Sequence, residues 1–486
     1  MSTSGDGLSK SRGAVTTPSV LERCASSRFA PSTSSEIGMK LRESRPALVL
    51  TVTFLVSACG GGTVADGTGP VLPPRDTVPT GGPPTVQRSA LDVQVIFDPA
   101  DATLANTAGV SVEGMSVRLT RSVPGAVPRT VLSGASGRAR FDSLLEGNYQ
   151  ISVERSLTAG ELQRLPSIDR ETALFAGGID VVVRPPTNAS AELSVVGTRR
   201  GSVVISEIFA FNGLPGSAYG LGTYAEVYNN ADTTAYLDGM LIFWTQSSLH
   251  RGSTSLACES VNVAQRLDTT AIYSSSVMFQ FPGSGREFPI RPGEAKVLAM
   301  DALDHQTATS AGGQVDLSKA DFEQIGTEAD INNPFVPDMI RVFAGTGFFG
   351  RGFHYMAAPV SHVLALPAAK SAVRAEQLRL TNAGGMGGSI DVYRVPREFV
   401  LDVFGVQFKP GTSDVGGGDP APLCTPWLAP TFDRSPAFLI ETSLRKAIGR
   451  RSVGRTADGR EILQRTRTSA RDLELRDPLT RSLLKP

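Results

Sequence analysis

The 486-residue chain lacks an apolar run that could cross a bilayer as a helix. Its prominent run, Pro46 to Ala58, is thirteen residues long, and a helical span needs about 20. Net charge is missing too. Lys and Arg total 47 against 47 Asp and Glu, so no overall field selects nucleic acid or a membrane surface. Lysine is scarce, with none between Lys40 and Lys296, and the arginine-heavy balance reads as coding bias before chemistry. The histidines are His250, His305, His354 and His362. No two share the i, i+4 spacing of a helical zinc site. The G-x-S-x-G pattern of a nucleophile elbow is absent. Cysteines are few: Cys24, Cys59, Cys258 and Cys424.

What is present around the apolar run is informative. Lys40, Arg42 and Arg45 precede it, after Met39, and Val56-Ser57-Ala58-Cys59 closes it. A basic segment, a short apolar segment and a small-residue cleavage site make a secretory signal over 39–58. The stretch resembles the lipobox of bacterial lipoproteins, with Val56 where leucine is usual. The resemblance implies a diacylglyceryl thioether on Cys59, an anchor rather than a span. Gly60, not Asp, follows the cysteine, which by the usual sorting rule implies the outer membrane. Residues 1–38 are rich in Ser, Thr and Gly without hydrophobic period. They read as disordered sequence from a start codon placed too early, in which case Cys24 is never made. With Cys59 lipidated, Cys258 and Cys424 remain as a candidate disulfide pair in a compartment that permits one.

Fifty Gly and 32 Pro, with many Val and Thr, predict an all-β chain of short strands and many turns. Residues 59–88 hold the lipidated cysteine and a Gly/Pro-rich tether that sets reach. The first folded unit is expected over 89–197. "SVRLTR", "RARFDSL" and "YQISVERS" alternate as half-buried strands do, and "TAGELQRLPSIDRETALF" holds one short helix. Gly137, Phe141, the L-x-x-G-x-Y ending at Tyr149 and the strand after it resemble the carboxypeptidase-regulatory-type β-sandwich. That implies a stalk or adaptor. Some relatives carry a Lys–Asn cross-link, which the lysine gap from Lys40 to Lys296 denies to this unit.

The second unit is expected over 201–486. Ile205-Ser206-Glu207-Ile208, Glu226, Asn229 and Leu237-Asp238-Gly239 resemble the lamin-tail domain, an immunoglobulin-like β-sandwich, here with long insertions. With "FPGSGREFPIRPGEAKVLAMDALDH" and the C-terminal "SLRKAIGR", the chain resembles an uncharacterised family of bacterial lipoproteins. Relatives of that kind carry an acidic, Asn-rich stretch where Gln464-Arg465-Thr466-Arg467-Thr468-Ser469 stands, so a ligand role for that stretch is not carried over.

Other motifs have ordinary readings beside the chemical ones. "GTGFFGRG", Gly345 to Gly352, contains G-x-G-x-x-G, but no amphipathic helix follows and a turn between strands is expected. Asp330, Asn332, Asn333 and Asp338 supply hard oxygens and form a calcium candidate, the one cofactor considered. Asx-rich turns need no ion, because such side chains cap their own backbone. Twelve Lys or Arg against five acids over Ser443–Pro486 could meet lipid phosphate, but solvated strand faces are expected to account for most of them. Phe243-Trp244, Phe348-Phe349, Phe353, Tyr355 and Trp427 are expected as core and loop plugs, with stacking on sugars as the alternative. Glu207 and Glu226 are expected to serve a structural hydrogen-bond network.

Without a catalytic motif, the expected function is non-catalytic: a lipid-anchored envelope protein acting beside an outer-membrane barrel or receptor, such as a nutrient-uptake system. An adhesin binding glycan is the second reading. An extracytoplasmic hydrolase with scattered carboxylates is the third. Nucleic acid is excluded as a partner by compartment.

Overall fold

The computed structural model describes residues 86–166, 174–199, 202–209, 222–245, 268–274, 277–306, 315–324, 332–343, 361–380, 388–408, 428–439 and 446–479. Cys59, Cys258, Cys424, Asp330, His250, His354 and "GTGFFGRG" lie outside them. The chain is all-β, with a few short helices. Among the described residues, no helix is long and apolar enough to cross a membrane.

The first sheet uses β1 (Ser89–Phe97), β2 (Ser116–Arg121), β3 (Arg129–Leu132), β4 (Arg138–Leu144), β5 (Gly147–Ser156), β6 (Leu174–Val183) and β7 (Ala189–Thr198). Its order is β3-β2-β5-β6-β7-β1-β4, with β1 and β7 parallel. The edge strands β3 and β4 approach each other, so the sheet curls around its core. Alternation drives this. In β4, Ala139, Phe141 and Leu144 are buried while Arg138, Arg140 and Asp142 are exposed. Leu91, Val93, Phe141, Ile151, Val153 and Val195 pack into one cluster. At roughly 1.5–3 kcal/mol per fully buried side chain, that cluster, rather than the helices, holds the unit together. Helix α2 (Ala159–Arg164) fills part of the predicted helical stretch and starts with a Thr158–Glu161 capping box. A further helix, α1 (Ala102–Ala108), was not expected; it ends at Gly109 in the left-handed conformation. Gly137 turns with φ 80° where a Cβ would meet the Val95 carbonyl oxygen at 2.4 Å. The Tyr149 hydroxyl donates to the Leu145 carbonyl at 2.9 Å, which is what the L-x-x-G-x-Y spacing achieves.

A 12-stranded sheet follows. β8 (Val203–Phe209) and β9 (Tyr224–Asn229) are buried at every position and pair antiparallel, with a bulge at Ser206. The sheet runs from Ala437–Leu439 at one edge, through Val400–Phe408, to β8, Ala447–Arg450 and Leu473–Arg476 at the other. It curls back on itself. The Ile205 N–H donates to Asp402 of the Val400–Phe408 strand at 2.9 Å, although seven strands separate the two in sheet order. Ile205, Phe279, Phe281, Phe322, Met339 and Phe404 share the enclosed core.

The C-terminal hairpin Ser452–Arg455/Glu461–Leu463 packs on β5 and β6 of the first sheet. Val453 and Ile462 join Leu174, Ala176 and Val196 in one apolar cluster. Two backbones nearly touch here, since a Cβ on Gly178 would lie 2.6 Å from Gly454 Cα. Arg471 adds a fork onto Asp101 at 3.2 and 2.9 Å, and Asp101 also accepts from the Gly197 N–H at 3.0 Å.

Candidate functional site

The residues that carried the lamin-tail resemblance brace backbone. Asp238 accepts from the N–H groups of Gly285, Glu287 and Phe288 at 3.0, 2.8 and 2.9 Å. Partial burial pushes its carboxyl up, and these donors outweigh it, so it ionises more readily than usual. Asn229 donates to the Thr233 and Ile290 carbonyls, both at 2.8 Å. Glu207 accepts from the Leu479 N–H at 2.8 Å and from the Tyr224 hydroxyl. Glu226 accepts from the Ser206 hydroxyl at 2.7 Å. Burial, then the Glu207 charge, holds the Tyr224 phenol well above its usual range.

Of the calcium candidates, Asn332 and Asp338 are exposed. The Asn333 amide donates to the Ala302 and Ser318 carbonyls at 2.9 and 3.0 Å, and its oxygen accepts from the Phe335 N–H at 3.2 Å. Among the described residues, no group of three or more His, Cys, Asp or Glu could hold a metal ion. His305 is buried, with Nε2 2.8 Å from the Asp301 carbonyl oxygen. His362 is buried edge-to-face against Trp244, ring centroids 5.9 Å apart. Burial draws its pKa down to about 4, so the ring is neutral at physiological pH. Phe243 and Trp244 are both core residues.

A different set of residues forms a cleft. Arg199 follows β7, Arg397 opens a single 3₁₀ turn, Asp402 lies on Val400–Phe408, and Arg450 ends Ala447–Arg450. Arg465 and Arg467 come from the loop after the C-terminal hairpin, and Asp472 from the short helix Ser469–Asp472. Together they line a cavity of about 40 Å³.

Its floor is a buried ionic network. The Arg450 side chain is 1% exposed, Asp402 and Asp472 are each 2%, and Arg465 is 7%. Arg450 donates to Asp402 at 2.8 Å, Asp472 at 3.4 Å and the carbonyls of Ile205, Gln464 and Val403 at 3.1, 3.2 and 3.3 Å. Its guanidinium also lies over Phe404, 5.7 Å from the ring centroid. Arg465 donates to Asp402 at 2.9 Å and to the Ser202 hydroxyl. Asp472 accepts from the Thr466 hydroxyl at 2.7 Å and the Thr466 N–H at 2.9 Å. Burial lowers the Arg465 pKa and raises that of Asp472, each against its opposite-charge partner. Burial, then Arg465 and Arg467, pull Arg199 well below the ordinary arginine range. Since a guanidinium stays protonated in proteins, that direction records burial first and neighbouring like charge second.

Beside this floor sits Asp433. Its Oδ1 accepts from the Ser469 and Ser435 N–H groups at 3.0 and 3.2 Å. Its Oδ2 is buried without a partner among the described residues, and Gly405 makes room for it, since a Cβ there would lie 2.0 Å away. Burial raises the Asp433 pKa to about 7.

The basic C-terminal segment is therefore not only a solvated face, because Arg450 and Arg465 are buried. The cleft itself was not anticipated. Its arginines lie between 199 and 467, and only the closely spaced Arg465 and Arg467 gave a visible signal.

Residues 291–479 match the model of a protein family described as a protein of unknown function, DUF4876. The span includes Asp402, Arg450, Arg465, Arg467 and Asp472 but not Arg199. No curated protein matches the chain. Among solved structures, a DUF4876 family protein from Bacteroides thetaiotaomicron is 16% identical, covering 79% of this chain and 94% of that one, with a TM-score of 0.44. A 5-hydroxyisourate hydrolase from Klebsiella pneumoniae is 21% identical over 22% of this chain and 85% of its own, with a TM-score of 0.16. A DUF3823 family protein from Parabacteroides merdae is 8% identical over 64% and 98%, also with a TM-score of 0.16.

Proposed function

We propose that this protein is a non-catalytic, lipid-anchored envelope protein with a binding or accessory role beside an outer-membrane partner. Cys59 is the anchor, residues 59–88 are the tether, and the two β units are a body held off the membrane. The partner is a barrel or receptor of an uptake system.

The observation that carries this reading is how the buried acids are used. Asp238, Asp402, Asp472 and Glu323 spend oxygens on backbone N–H groups, hydroxyls and guanidiniums; Asp433, whose Oδ2 has no partner among the described residues, is buried and does not line the cleft. Acids committed to such bonds fix structure, whereas a general acid or base must be free to exchange its proton with substrate. The bonding between the first sheet and the C-terminal segment fits a rigid presenting body. The lipobox-like sequence before Cys59 supports the location.

The test is affinity purification from membranes of the native host, comparing wild type with Cys59→Ala. The expected result is membrane recovery with an outer-membrane β-barrel or receptor, both lost in Cys59→Ala. A soluble wild type that retains residues 1–58 would overturn the proposal.

A further inference from the structure

We infer, resting on the accessory role proposed above, that the end of the first β unit where the tether enters is the docking surface for the protein partner, and that it takes an apolar patch of that partner rimmed by acidic side chains. Among the described residues nine large apolar side chains are exposed, and four of them belong to this end: Val86, Val123, Val127 and Val182. Strand register gathers them. Ser89, just after Val86, opens β1 opposite Leu144 of β4, and the Ala90 N–H donates to the Asn188 side chain at 2.9 Å. Val182 lies opposite Asn148, whose carbonyl accepts from the Ser122 N–H at 2.8 Å. Val123 and Val127 stand on the β2–β3 connection that begins at Ser122. Leu132, at the far end of β3, and Ile179, in mid-strand, are set apart from them.

Arginines rim the patch. Arg88, Arg121 and Arg129 donate to the carbonyls of Ser143, Glu146 and Asp142 at 3.0, 2.6 and 2.7 Å. A carbonyl is a neutral partner, so these bonds orient the guanidiniums and leave their charge in place. The Asp142 carboxylate is paired with Arg140, and Glu146 is the other acid of this end. Aliphatic groups ringed by arginine suit a protein surface, where arginine is enriched. Lipid interfaces select aromatic rings instead, and the four exposed groups here are valines. The point of entry supplies the rest. Residues 60–85 join Cys59 to this end, and a Gly- and Pro-rich chain of that length spans on the order of 30 Å. A lipid on Cys59 therefore keeps this end within reach of whatever the membrane holds. Tethering on that scale gives an effective concentration on the order of millimolar, at which a small patch suffices.

The test is photo-crosslinking of the full chain in its native host. A photo-reactive phenylalanine analogue replaces Val127, or as a control Phe335, which is 92% exposed in the second unit. Adducts are identified by mass spectrometry, and circular dichroism confirms folding of each variant. The expected result is an adduct from position 127 to an outer-membrane β-barrel or receptor, with none from position 335. Adding Val123→Asp and Val182→Asp should cut its yield about tenfold or more while membrane recovery stays the same. Arg88→Glu should lower it less and make it less sensitive to salt. An adduct from 127 to lipid alone, or to residues 59–85 alone, overturns the inference in favour of a bilayer contact or self-coverage. So does a yield that survives both aspartates. A partner that co-purifies without an adduct at 127 overturns the docking end and leaves the accessory role standing; no partner at all overturns both.

Discussion

The two β units treat charge in opposite ways. In the first, Arg140 pairs with Asp92 and Asp142 on the exposed face of β4 and β1, and the core cluster is aliphatic and aromatic, with Asp101 buried only where the C-terminal segment meets the unit. In the second, Arg450, Arg465, Asp402 and Asp472 are sealed beneath the surface and tie β8, the Val400–Phe408 strand and the C-terminal loop together. A sheet with one wet face needs only alternation. A sheet that curls over itself brings distant strands together, and here a buried guanidinium satisfies their carbonyls.

The largest break in this contrast is Arg450→Met. It removes the guanidinium that two buried carboxylates share, and the expected loss is about 3–5 kcal/mol of unfolding free energy, read by urea denaturation. Asp433→Asn comes next, with the opposite sign. The native carboxyl titrates near 7 and an unfolded one near about 3.9. Between those values the native state holds a proton that the unfolded state has released. Wild-type stability therefore falls as pH rises through that window and is level above it. The variant should lack this slope and exceed wild type at pH 8 by roughly 2–4 kcal/mol; equal slopes from pH 4 to 8 would refute it. Arg471→Gln cuts the fork onto Asp101 between the units. An expected cost of about 1–2 kcal/mol should appear as earlier proteolysis between them, or as two thermal transitions in place of one. Arg140→Ala, on the exposed face, should leave the denaturation midpoint unchanged. A large effect there would erase the distinction.

The same contrast separates what could be read in the sequence from what could not. Alternation in "RARFDSL" and "SVRLTR" exposes strands directly, and Gly137 and Tyr149 marked a tight turn and a corner that are present. Helix α1 was hidden because "ATLANTA" has neither an apolar stripe nor a side-chain cap. The cleft was hidden for a deeper reason. A buried arginine looks the same in sequence as a solvated one, and its partners lie as far as 245 residues away. Asn333 reads equally well as an ion ligand or a loop brace, and only its three short hydrogen bonds distinguish the two.

The strand Ala447–Arg450 lies between β8 and Leu473–Arg476 in the finished sheet. A chain delivered from its N-terminus must wait for residues 447–450 before β8 gains that neighbour, and for Arg450 and Arg465 before Asp402 gains its counter-charges. Closure is thus a late, long-range event in folding. A product truncated anywhere before Arg450 exposes a bare strand edge and a buried acid without its base. The body accordingly carries its own test of completeness, legible to any protease that patrols the compartment where it folds.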